Sequence, residues 1–173
     1  MKIQLLFLFL FISFKAFSQT PEQRLERLEI HLPDVPEALG LYVDIVKVGS
    51  LLYLSGKGPR KDDGEYVKGK LGEDLTLEQG VEAARISALN QLAVLKRELG
   101  SLDRVKRVVK VNGFVNSSAL FYDQSKVING FSDVMIEIFG ASGRHARTAI
   151  GTNVLPLNMA VEVEMIVEIE QTK

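Results

Sequence analysis

The chain has 173 residues, with 21 lysines and arginines against 22 aspartates and glutamates, a formal net charge of −1. That balance gives no general attraction to a phosphate backbone and argues against a nucleic-acid partner. The absence of cysteine excludes disulfides, thiolate zinc sites and thiol catalysis, and two histidines, His31 and His145, are too few for a multi-histidine metal site in one chain.

Residues 1–18 read as an export signal. Lys2 is positive, residues 5–14 are a run of Leu, Phe, Ile and a single Ser, and Ala16-Phe17-Ser18 puts small residues where a signal peptidase reads. At about 1.5 Å per residue, a helix over residues 3–14 reaches roughly 18 Å, short of a hydrocarbon core about 30 Å thick. It also lacks the polar face of an interfacial anchor. The expectation is cleavage after Ser18 and a periplasmic or secreted chain with no stable membrane anchor. No cysteine follows the cut, which excludes a lipoprotein.

Residues 19–38 form a polar leader with a short helical patch at 22–28 and a Pro33-Asp34-Val35-Pro36 break. The domain proper is expected at 39–173. Alternation predicts strands at 42–48 and 51–54, joined by a Gly49-Ser50 turn. Residues 60–74 form a charged, glycine-punctuated loop. A helix is predicted at 77–99. Thr76 and Gln79 have capping-box spacing, Gly100 is the stop, and Val81, Ala84, Ala88, Leu92, Leu95 and Leu99 make an apolar stripe. A third strand at 107–115 and a second helix at 124–139 follow, the latter with Val127, Phe131, Val134, Met135 and Ile138 inward. Two strands, 145–154 and 161–170, close the chain. The Arg104-Lys106-Arg107-Lys110 cluster lacks interleaved aromatics and reads as a solvated strand end.

The order β-β-α-β-α-β-β predicts a single α+β domain with two helices on one face of a mixed sheet. The other face then needs cover, and self-association is the simplest supply. On the penultimate strand, parity groups His145, Arg147 and Ala149. On the last, Val161, Val163, Met165, Val167 and Ile169 form one face, with Glu162, Glu164, Glu168 and Glu170 opposite. Arg147 has the chemistry for bidentate capture of a carboxylate. A bland alternative is an Arg147–glutamate pair across a closing hairpin, with Glu162, Glu164 or Glu168 as partner. His145 offers a second anion contact or proton donor, its unperturbed pKa of about 6.5 lying near working pH. His31, in the polar leader, reads as bland.

Several strings resemble the RidA/YjgF family of small enamine/imine deaminases, over residues 39–168. They are Leu54-Ser55-Gly56, Val108-Val109-Lys110-Val111, Val127-Ile128-Asn129-Gly130-Phe131, and Ala146-Arg147-Thr148-Ala149 running through Leu155-Pro156 to Val161-Glu162-Val163-Glu164. The resemblance implies a chorismate-mutase-like fold, a homotrimer, and a cofactor-free site between subunits that hydrolyses 2-imino or enamino acids. Arg147 would bind the substrate carboxylate and Glu162 would handle the attacking water. Tyr42, Ser55, Gly56 and Asn129 would line the same cleft. The chain departs from the usual family pattern at Leu41-Tyr42-Val43-Asp44, at Lys57 and at His145-Ala146, which is expected of a divergent branch, and the leader read above makes it an exported one. A non-catalytic, small-carboxylate-binding trimer is the alternative.

Overall fold

The structure is a computed structural model that describes residues 19–34 and 40–171; the expected export signal lies outside the described residues. Among the described residues three α-helices, α1 (Pro21–Arg27), α2 (Leu77–Leu99) and α3 (Gln124–Phe139), accompany five strands. The strands are β1 (Ile45–Val48), β2 (Leu51–Lys57), β3 (Val105–Asn116), β4 (Ala146–Thr152) and β5 (Val161–Ile169).

Local chemistry sets the helix ends. Thr76 and Gln79 cap α2 reciprocally, the Gln79 amide donating to Thr76 Oγ1 and the Thr76 amide to Gln79 Oε1. Gly100 ends it at a φ of 76°, the left-handed region glycine enters at little cost. Thr20 and Gln23 repeat the same box on α1. α2 and α3 cross closely, because a Cβ on Gly130 would stand 2.1 Å from the Val81 carbonyl oxygen.

The strands run in the order β1-β2-β5-β3-β4, with β3 and β4 parallel and every other pair antiparallel. This corrects the closing hairpin. Although consecutive in sequence, β4 and β5 are separated by β3. The connection turns through Pro156–Asn158, where Leu157 and Asn158 both take a φ of 56°. An Arg147–glutamate pair across a hairpin therefore does not exist. Glu164 instead accepts from Asn112 Nδ2 at 2.8 Å, and Glu168 from Lys106 Nζ at 2.7 Å.

The predicted strand bounds shift at one end of the sheet. β1 starts at Ile45 rather than at residue 42, because Asp44 is buried and turned onto Lys57 and Arg97 instead of continuing the ladder. β2 runs on through Ser55-Gly56, past a break in its register with β5 between Leu54 and Lys57. The loop after β2 is pinned by Leu71, which is fully buried and bonds Asn116 and Ser118.

α2 and α3 cover one face of the sheet, burying Leu52, Leu54, Val111, Val115, Val161, Val163, Met165 and Val167. On the other face Val46, Val48, Tyr53 and Ile150 remain 42–58% exposed, although they are apolar or aromatic. No element among the described residues covers them.

Candidate functional site

Arg147 pairs with Val111, whose partner on β5 is Met165, so its side chain leaves the sheet on the helix-covered face. There it meets α3. Nη1 donates to Asn129 Oδ1 at 2.9 Å and to Ser132 Oγ at 3.0 Å, and Nη2 donates to the Ser125 carbonyl at 3.2 Å. A guanidinium has five N–H donors. The two left over sit on Nε and Nη2, the side-on fork that matches a carboxylate. Ser125, Asn129 and Ser132 are spaced four and three residues apart, which aligns them on one helix face. Ser125 and Ser132 are support residues the sequence reading missed, and their shared spacing with Asn129 along α3 was the signal for them.

His145 stands beside this group. Its Nδ1 lies 2.6 Å from the Gly143 carbonyl, which only accepts, so Nδ1 carries the proton. Nε2 lies 3.1 Å from Ser132 Oγ. Burial lowers the imidazole's pKa, partly offset by the bond to Gly143, and the Arg147 cation lowers it further. The expected anion contact or proton donor is thus a neutral ring with both nitrogens engaged inside the chain. Gly143 makes the approach possible, since a Cβ there would stand 2.1 Å from the Met135 carbonyl oxygen.

Glu162 lies elsewhere. It pairs with Phe114, whose partner on β4 is Ile150, and so projects from the open face. Its carboxylate lies over Gly56, where a Cβ would come within 2.3 Å of Oε1. Burial raises the pKa of this carboxyl, and the neighbouring Glu164 charge raises it further. Beneath, the fully buried Gln91 of α2 donates Nε2 to the carbonyls of Ser55 and Val163, at 2.9 and 2.7 Å, and ties the irregular part of β2 to β5. The Ser55 hydroxyl is spent on the Val43 carbonyl at 2.8 Å, and its amide on the Asp44 carbonyl. Ser55 thereby fastens the segment carrying Tyr42, which is 51% exposed. Although burial alone would raise Asp44, the hydrogen bonds from Lys57 and Arg97 hold it below the ordinary carboxylate range.

The expected site residues therefore fall into two groups. Arg147, Asn129 and His145 gather under α3 at the β4 edge, while Glu162, Gly56, Ser55 and Tyr42 gather around the irregularity of β2. Among the described residues no group of three or more His, Asp or Glu side chains is arranged to hold a metal.

Residues 22–169 match the family described as YjgF/chorismate mutase-like, which carries an endoribonuclease designation. The chain belongs to the YjgF/chorismate mutase-like family. It is 47% identical over 146 residues to protein TCP17 of Trypanosoma cruzi, covering 84% of this chain and 91% of that protein. It is 34% identical over 142 residues to a 2-iminobutanoate/2-iminopropanoate deaminase of Dermatophagoides farinae, covering 82% and 95%. The crystal structure of protein Atu1372 from Agrobacterium tumefaciens superposes with a TM-score of 0.79 at 40% identity, covering 88% and 93% of the two chains. Membership accounts for the α+β sheet with helices on one face, and deaminase-type chemistry is consistent with it at the family level.

Proposed function

We propose that the protein is a homotrimeric hydrolase that converts small 2-imino or enamino acids into 2-keto acids and ammonia, at sites shared between neighbouring subunits. The observation that carries this reading is the Arg147 guanidinium, held by three bonds to α3 with two N–H groups on Nε and Nη2 left over. That fork suits the carboxylate of a small imino acid. The separation of Arg147 and Glu162 by the thickness of the sheet supports a shared site, since a second copy must bring its own Glu162 to the anchored substrate. The exposed apolar residues of the open face supply the surface such an assembly would bury.

An imine carbon is already electrophilic, so water adds to the C=N bond without a cofactor. Glu162 accepts a proton from that water as the C–O bond forms, and passes it to the nitrogen, which takes up the π electrons. The hydroxyl proton of the tetrahedral intermediate then follows the same route to the nitrogen as the C–N bond breaks, which expels ammonia, leaves the keto acid and restores the carboxylate. The raised pKa of Glu162 suits a base. Identity with a relative named as a 2-iminobutanoate/2-iminopropanoate deaminase supports this substrate class. We also propose that the protein is exported by its leader, so that an extracytoplasmic source such as amino-acid oxidation supplies the imine.

Imines generated in situ by an amino-acid oxidase, with semicarbazone formation as the readout, test the hydrolysis. Wild-type protein is expected to suppress the semicarbazone and Arg147→Ala to fail. If wild type leaves imine decay unchanged, hydrolysis is overturned and carboxylate binding alone remains. A single-chain mass by light scattering removes the shared site. Intact residues 1–18 on protein recovered from its native source would overturn export.

A further inference from the structure

An arginine on an edge strand has many rotamers, so a carboxylate anchor there needs its guanidinium plane fixed. Asn129 and the Ser125 carbonyl supply two of the restraints, and both are simple acceptors. The third, Ser132, is different. A hydroxyl that accepts from Arg147 Nη1 must send its own hydrogen elsewhere. Nε2 of His145, 3.1 Å away, is the acceptor in reach. That nitrogen keeps a free lone pair because the Gly143 carbonyl pins the ring proton on Nδ1.

We propose that Ser132 and His145 are positioning residues for Arg147, forming a one-way chain of hydrogen bonds that turns the Nε–Nη2 edge of the guanidinium outward. Every proton in the chain has one place. Arg147 Nη1 donates to Ser132 Oγ, the Ser132 hydroxyl donates to His145 Nε2, and His145 Nδ1 donates to Gly143. The strand does not need the chain for its own stability, since β4 is already laddered to β3 along its whole length. The chain's consequence is directional, and it falls on the Arg147 side chain. The proposal rests on the reading of Arg147 as carboxylate anchor, so its test has one arm that needs no catalysis.

That arm is side-chain ¹H–¹⁵N NMR of the purified protein, with the Arg147 Nη1–H signal assigned by its loss in Arg147→Lys. A guanidinium whose Nη1 is held by Asn129 and Ser132 rotates slowly about its C–N bonds and gives a resolved, slowly exchanging Nη1–H in wild type. The signal should broaden or vanish in Ser132→Ala and in His145→Leu, and return in Ser132→Thr. A sharp, unshifted signal in Ser132→Ala overturns the proposal whatever the enzyme does.

The second arm is imine hydrolysis. Because a carboxylate anchor holds ground and transition states alike, loosening it should raise KM by about tenfold with kcat within about twofold. Ser132→Ala should show that split, Ser132→Thr should recover most of it, and His145→Gln, which keeps an acceptor facing Ser132, should lie closer to wild type than His145→Leu. An unchanged KM in Ser132→Ala, where Arg147→Lys does raise it, overturns the proposal. An unchanged KM in Arg147→Lys instead removes the anchor reading, and the NMR arm then decides the positioning chain alone.

Discussion

Arg147 and Glu162 leave the same sheet on opposite faces, with β3 between their strands. Neighbouring strands lie about 4.8 Å apart, so the two backbones are separated by roughly 10 Å with the side chains aimed away from each other. One substrate cannot touch both within a chain.

Complementation follows from this. Arg147→Ala and Glu162→Gln should each be inactive alone. Mixed by unfolding and refolding together, they should recover activity. For random assembly at equal amounts, about a quarter of the sites receive an intact Arg147 from one chain and an intact Glu162 from its neighbour. Semicarbazone formation by the mixture measures this. Recovery near a quarter of wild type supports the shared site, whereas a mixture as inactive as its parents excludes it.

The closest fit in the Glu162 group is to Gly56. Its φ lies outside the left-handed region, so alanine is tolerated by the backbone, but the new methyl would meet Oε1 at 2.3 Å and both Cδ and Cγ at 2.9 Å. The carboxylate must move by about an ångström, a displacement that costs on the order of 10²-fold in rate when the group handles the attacking water. Gly56→Ala should therefore lose kcat while circular dichroism and the thermal transition stay close to wild type.

Two pH effects come from Glu162, whose pKa is raised by burial and then by the Glu164 charge. In the proposed role Glu162 has to be ionised, so activity should fall as pH drops through this raised value, above the ordinary glutamate value of about 4.3. Glu164→Gln removes one cause, and the acid limb of kcat/KM should move to lower pH. The stability sign is opposite. A carboxyl with a raised folded pKa favours the native state below its unfolded pKa, and that advantage is lost as pH rises through the folded value. Glu162→Gln should therefore melt higher than wild type at pH 7, with the difference shrinking as pH approaches 4.

The ends of α2 were legible because capping is local. Thr76, Gln79 and Gly100 carry the signal within a few residues of where it acts. The alternation along residues 161–170 likewise assigned its faces correctly, with Val163 and Met165 in the core. Strand order was not legible. Parallel pairing of β3 with β4 leaves no local mark, and a short Leu155-Pro156 connection reads as a hairpin turn unless the left-handed Leu157 and Asn158 are known. That single omission is what allowed an Arg147–glutamate pair across a closing hairpin. The support residues were hidden for another reason. Ser132 and Gln91 are polar side chains on mostly apolar helix faces, and their purpose depends on groups 13 to 72 positions away.

Gln91 gives the sharpest stability test. It is fully buried, and its Nε2 bridges the Ser55 and Val163 carbonyls where the β2–β5 register breaks, while its own Oε1 has no partner. Gln91→Leu keeps much of the volume but strips the donor from two carbonyls, each worth about 1–3 kcal/mol if left unsatisfied. The melting temperature should fall by roughly 4–24 °C, at about 2–4 °C per kcal/mol for a chain of this size. Gln91→Glu should be worse at neutral pH, because an ionised carboxylate would face two carbonyl oxygens with no proton to offer. Protonated, it can still donate to one of them. Its folded pKa must therefore rise, and its stability deficit relative to Gln91→Leu should narrow as pH falls toward 5. Thermal melts of both variants between pH 5 and 8 measure the difference, and a pH-independent gap would remove Gln91's bridging role as the reason the Ser55-Gly56 segment keeps its shape.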